Sequence, residues 1–100
     1  AKQDIDARML AEQQVEARRV IEAVDSALAK DGRQLLIESE FNEIIRARDK
    51  LEQAIENSDA DTLKRSIKNV ESVSEEFVAR RMNASVQKVL SGKKIDEVEV

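Results

Sequence analysis

No proline interrupts this 100-residue chain, and its only glycines are Gly32 and Gly92. A sheet protein of this length needs many tight turns, which draw on Gly, Pro or Asn for positive or fixed φ. Two glycines do not supply them. Ala, Glu, Lys, Arg, Gln and Leu, the residues that lose least on entering a helix, fill much of the chain instead. The expected fold class is all-α, in one small domain at most.

The composition removes whole classes of chemistry. Cysteine and histidine are both absent, which excludes disulfides, thiol redox chemistry, the usual zinc sites and Ser–His or Cys–His nucleophiles. A carboxylate di-metal site built on Glu-x-x-His fails for the same reason. Carboxylates abound, but acid–base work needs an enclosing pocket to perturb them, and a small bundle whose only aromatics are Phe41 and Phe77 has little room for one. No catalytic, metal or cofactor-binding residue is therefore assigned. A formal net charge of −4 argues against nonspecific nucleic-acid binding. No apolar run is longer than the three residues of Leu35-Leu36-Ile37, far short of the roughly 20 that span a bilayer. The chain starts at Ala1, without methionine and inside a helical pattern. It is expected to be a piece of something longer.

Three amphipathic stretches follow one another. Ala17, Ile21, Val24 and Leu28 form one stripe, which Asp31-Gly32 is expected to stop by a left-handed glycine. Phe41, Ile44, Ala47 or Arg48, Leu51 and Ile55 form the second, with Ser39 as its expected N-cap and Glu40 and Glu43 near the positive end of the helix dipole. Ser58-Asp59-Ala60-Asp61 resembles a capping box and opens the third, in which Leu63, Ile67, Val70 and Phe77 share a face. That face continues weakly through Met82, Val86, Val89 and Leu90 to Gly92. Short loops between amphipathic helices imply an antiparallel three-helix bundle. Its expected core is Ile21, Val24, Leu28, Phe41, Ile44, Leu51, Ile55, Leu63, Ile67, Val70 and Phe77.

Residues 1–16 do not fit this scheme. Ile5, Met9 and Leu10 form an apolar strip, followed by Val15, that precedes the bundle. They read as a helical arm whose partner surface lies elsewhere, since exposed contiguous apolar surface marks interaction sites. Arg80, Arg81, Lys88, Lys93 and Lys94 form a basic run without an intervening acid. It reads either as a patch for an acidic partner or as cations suiting a helix C-terminus. Residues 93–100 read as an acidic, flexible tail.

Two segments carry a family resemblance. Asp6-Ala7-Arg8-Met9-Leu10-Ala11-Glu12-Gln13-Gln14-Val15-Glu16-Ala17 resembles the start of the long lid helix of DnaK-class chaperones of the HscA type. Phe77-Val78-Ala79-Arg80-Arg81-Met82-Asn83-Ala84-Ser85-Val86, with the ending Leu90-Ser91-Gly92-Lys93-Lys94-Ile95-Asp96-Glu97-Val98, is similar to their last helix and C-terminus. The resemblance implies a non-catalytic helical lid that closes over client peptide held in a β-sandwich. An ATPase domain using ATP and Mg would control it from elsewhere in the full-length protein. It further implies iron–sulfur cluster assembly in the cytoplasm, with the cluster scaffold protein as client and a J-domain cochaperone. Ile5, Met9 and Leu10 would then contact the sandwich. DnaK-type lids latch onto the sandwich through an acidic residue midway along the long helix. Here the match falls on Ser26, with Asp25 adjacent and Lys30 and Arg33 beyond, so a different or weaker latch is implied.

The expected organisation is thus an arm at 1–16, a helical-bundle lid at 17–92 and a tail at 93–100. The competing reading is a free-standing helical-bundle adaptor that holds a partner helix in a groove. No nucleic-acid or membrane partner is expected. Self-association of the chain is expected through its N-terminal arm, by antiparallel pairing or helix exchange.

Overall fold

Aliphatic residues at steps of three and four give each long segment one apolar face, and these faces are buried against one another. The computed structural model describes residues 2–99, with side chains for residues 3–91. In chain order the elements are α1 (Lys2–Ala27), a π-helical turn (Leu28–Gly32), α2 (Arg33–Leu35), α3 (Glu38–Asn57) and α4 (Ala60–Glu99). Among the described residues there is no strand. Helices α1, α3 and α4 each pack on the other two. The chain reverses at residues 36–37 and again at 58–59, so α3 runs antiparallel to both α1 and α4. Helix α4 runs on through Gly92 to Glu99, so the expected stop at Gly92 is not made; the side chains of the tail at 93–100 lie outside those described.

The core has two parts. Ala17 and Ile21 of α1, Ala47, Leu51 and Ile55 of α3, and Leu63, Ile67 and Val70 of α4 form the larger. Leu28, Ile44 and Phe77 form the smaller, toward the α2 end. Val24 and Val73 touch both parts and join them. Val24 and Phe41 are half-buried rather than buried, and Ala17 and Ala47 complete the buried set. Both alanines lie on the expected stripes, and their small side chains let the helix backbones approach closely.

Gly32 does not end the first helix in a left-handed conformation. Its φ of −56° and ψ of −46° are helical, and no residue with positive φ occurs among those described. The chain turns instead at Leu36, which is extended at φ −124° and ψ 140°, and at Ile37 (φ −76°, ψ 163°). Glycine is needed at 32 for space. A Cβ there would lie 2.7 Å from the Phe41 ring, closer than packed atoms tolerate. The π-helical turn, wider than an α turn, leaves both Leu28 and Gly32 buried.

Both expected caps move by a residue or two. Ile37, not Ser39, is the N-cap of α3. Isoleucine offers no side-chain acceptor, so only half a capping box forms: the Ile37 N–H donates to Glu40 Oε1 at 3.0 Å. At α4 the N-cap is Asp59, whose Oδ1 accepts the Thr62 N–H at 2.8 Å, while Ser58 ends α3 in an extended conformation (φ −131°, ψ 160°). Asp is as good an N-cap as Ser, and the S-x-x-D and D-x-x-T readings differ by a single step. The hydrogen bonds from Thr62 hold the Asp59 carboxyl below the usual carboxylate range.

Candidate functional site

The apolar strip of the N-terminal arm splits where the bundle begins. Leu10 is half-buried and packs on the larger core cluster. One turn further on, Gln14 Nε2 donates to the Ile55 carbonyl at 2.9 Å. This bond ties α1 to a carbonyl in the last turn of α3, where helices leave acceptors unpaired. N-terminal to Leu10 the strip is uncovered: Ile5 is 58% exposed and Met9 45%. Beside it lies a shallow recess lined by Asp6, Ala7, Met9 and Leu10 of α1 and Asp59, Ala60 and Asp61 of α4. Of the three proposed contact residues, Ile5 and Met9 are thus open to a partner, and Leu10 belongs chiefly to the bundle. Val15 is also exposed, at 65%.

The expected latch positions do not act together. Asp25 faces α3, where Arg48 grips it with two hydrogen bonds of 2.9 Å, Nε to Oδ1 and Nη2 to Oδ2. Arg48 also bonds Asp49 at 3.0 Å and Glu52 within α3. These acids, Asp25 foremost, raise its pKa still further above the ordinary guanidinium value. Arg33 stacks over the Phe41 ring, 4.4 Å from its centre. All four positions are exposed; Asp25 and Arg33 are engaged with Arg48 and Phe41 of the same chain.

The basic run at the far end of the bundle is also spoken for in part. Arg80 forks onto Glu40, Nη1 to Oε1 at 2.8 Å and Nη2 to Oε2 at 2.9 Å, and Nη1 also donates to the Leu35 carbonyl at 2.9 Å. Arg81 Nε reaches Asp31 Oδ2 at 2.7 Å. Arg80, with the Ile37 N–H second, holds the Glu40 carboxyl below the ordinary carboxylate range. Neither arginine serves as an open patch or a mere dipole partner. Together they clamp the α1–α3 connection onto α4. Sequence reading missed Glu40, Arg48 and Asp31 in these roles, because pairs 23 to 50 residues apart leave no local signal.

Past this clamp α4 leaves the bundle. Met82, Val86, Val89 and Leu90 are all more than half exposed, so the expected weak continuation of the core stripe is a second uncovered strip. The molecule measures 66 × 31 × 17 Å, and its uncovered strips lie toward opposite ends. Among the described residues no group of three His, Cys, Asp or Glu is arranged to hold a metal. No helix among them is long and apolar enough to cross a membrane.

No family model matches the chain. Over 98 residues it is 49% identical to the chaperone protein HscA of Klebsiella pneumoniae (strain 342). It is 46% identical over 99 residues to the HscA homolog of Haemophilus influenzae (strain PittEE), and 45% over 98 residues to that of Shewanella amazonensis. Each match takes in 98% or 99% of this chain but only 16% of the relative's length. Over nearly its whole length the chain is thus similar to HscA chaperones, consistent with a C-terminal helical fragment of a chaperone of that type.

Proposed function

We propose that this chain is the non-catalytic lid of a chaperone's substrate-binding domain. The observation that carries the reading is the arm before Leu10: a helix with Ile5 and Met9 uncovered, rooted in a bundle that cross-links hold in one shape. Such a part covers something. By family, that something is the protein's own β-sandwich with a client peptide in its groove. Closure would act by slowing peptide release, the rate in which most affinity differences reside.

The finer parts of the proposal rest on the likeness to HscA chaperones. ATP and Mg would be used by the ATPase domain elsewhere in the full-length protein, in the cytoplasm. The J-domain cochaperone would act through that protein, and the client would be the scaffold of iron–sulfur cluster assembly. Asp25 being held by Arg48, a latch to the sandwich in this region would fall to exposed Ser26 and Lys30.

The test is peptide dissociation from the full-length chaperone, compared with a version lacking residues 1–100 and with Ile5→Glu/Met9→Glu. Release several times faster in both, with basal ATPase nearly intact, supports the lid. Unchanged release in both would make the free-standing adaptor the better description.

A further inference from the structure

The uncovered strip of α4 does not stand alone. Glu71, Glu75, Val78, Met82, Ser85 and Val89 follow one another at steps of four, three, four, three and four, the spacing of a helix that seats a second helix along one seam. The seam runs beside the core face rather than on it, and it has two unlike halves. Its C-terminal half is a bare ridge of Met82, Val86, Val89 and Leu90. Its N-terminal half borders an open groove of about 410 Å³ between α1 and α4. Val20, Ala23, Val24, Val70 and Val78 give this groove an apolar lining. Ser74 also lines it, buried and with its hydroxyl unpartnered. The ridge lacks a groove and the groove lacks an occupant.

Charge divides along the same line. The groove is rimmed by Glu16, Glu71 and Glu75, with Arg19 committed to Glu16 at 2.7 Å. The ridge carries Lys88, and no acidic residue occurs between Glu76 and Asp96. One partner satisfies both halves: the same helix turned end for end. We infer that α4 of a second copy docks antiparallel along this seam, crossing near Met82. Each copy's Val86 and Val89 then lie over the other's groove, and each Lys88 reaches the other's acidic rim. A two-fold arrangement of this kind uses one patch twice and closes at a dimer. The seam is small against standard interfaces, so the dimer is a weak one, in the micromolar range or above. The inference stands independently of the lid reading, because Ile5 and Met9, the exposed residues that carry that reading, take no part in it.

Sedimentation of the full 100-residue chain across concentrations from about 10 μM to about 1 mM tests it. A monomer–dimer equilibrium is expected. Val86→Glu/Val89→Glu, at exposed positions, should shift it at least tenfold toward monomer with an unchanged helical spectrum. Ile5→Glu/Met9→Glu should leave it unaltered. The orientation is tested by charge exchange. Lys88→Glu and Glu71→Lys/Glu75→Lys should each weaken self-association, while an equimolar mixture of the two variants should form a heterodimer. A strict monomer at the highest concentration would overturn the inference. So would association abolished by the Ile5/Met9 change alone, or variants that do not complement each other. Binding of the monomer to anionic vesicles through Val86 and Val89 would instead assign the ridge to lipid, and would equally overturn it.

Discussion

Two stretches of α4 carry the same repeating pattern and meet opposite fates. From Leu63 to Phe77 the stripe residues Leu63, Ile67, Val70 and Phe77 are at most 5% exposed; from Met82 to Leu90, Met82, Val86, Val89 and Leu90 are at least 54% exposed. Propensity does not separate them, since both are helical. Coverage does. The first stretch lies alongside α1 and α3, and the second has passed the connection where those helices end. An amphipathic period states which side of a helix wants burial, not whether a neighbour is long enough to provide it. The clamp of Arg80 on Glu40 and Arg81 on Asp31 marks the border.

That contrast is most sharply broken by truncating one residue on each side. Leu63→Ala, at a fully buried site, should cost about 3 kcal/mol by chemical denaturation, within the range for buried leucines. Val89→Ala should change stability by less than about 0.5 kcal/mol, as is usual for exposed positions. Equal losses at the two sites would mean that the ridge is covered within the monomer.

Gly32 supplies the next largest effect, and one whose sign is diagnostic. In an unhindered helix interior Gly→Ala stabilises by up to about 1 kcal/mol. Here the added methyl meets the Phe41 ring, so Gly32→Ala should destabilise by about 1–2 kcal/mol through overpacking. In a Phe41→Leu background the same change should become neutral or favourable. A stabilising Gly32→Ala in the parent chain would show that neither space nor backbone conformation requires glycine there.

Capping gives a smaller effect. Asp59→Ala should cost about 1 kcal/mol, and Ser58→Ala much less, reversing the order expected from the S-x-x-D pattern. The carboxyls of Asp59 and Glu40 both titrate below their ordinary range in the folded chain. Their contribution is therefore complete above the unfolded carboxylate value of about 4. It is lost as pH falls through that value and through the lower folded ones. In Asp59→Ala/Glu40→Gln the acid limb of a stability–pH curve should flatten. An unchanged limb would show that neither carboxyl gains on folding. Arg48→Ala should have the least effect, about 1 kcal/mol or below for an ion pair with one solvent-exposed partner, read in the same titration.

Much of the bundle could be read from the chain because its determinants are local. Scarce glycine and absent proline dictated helix. Aliphatic spacing named Ile44, Leu51, Leu63 and Val70, which are the largest fully buried side chains, and the cluster at 57–59 marked a real break. Of the candidate contact site, Ile5 and Met9 were legible as apolar residues in an acidic arm. That Leu10 turns inward was not, since it depends on where α3 and α4 meet α1.

By itself, then, the sequence determined helix, the side of each helix that seeks burial, and the absence of thiol and imidazole chemistry. These follow from intrinsic propensity and side-chain chemistry, which act within a few residues. Only the tertiary structure decided that Gly32 makes room for a ring and that Asp25 and Arg80 are cross-links. It also decided that α4 carries an uncovered ridge from Met82 to Leu90. Each of these depends on which distant atoms occupy the neighbouring space, and a one-dimensional pattern does not encode that distance.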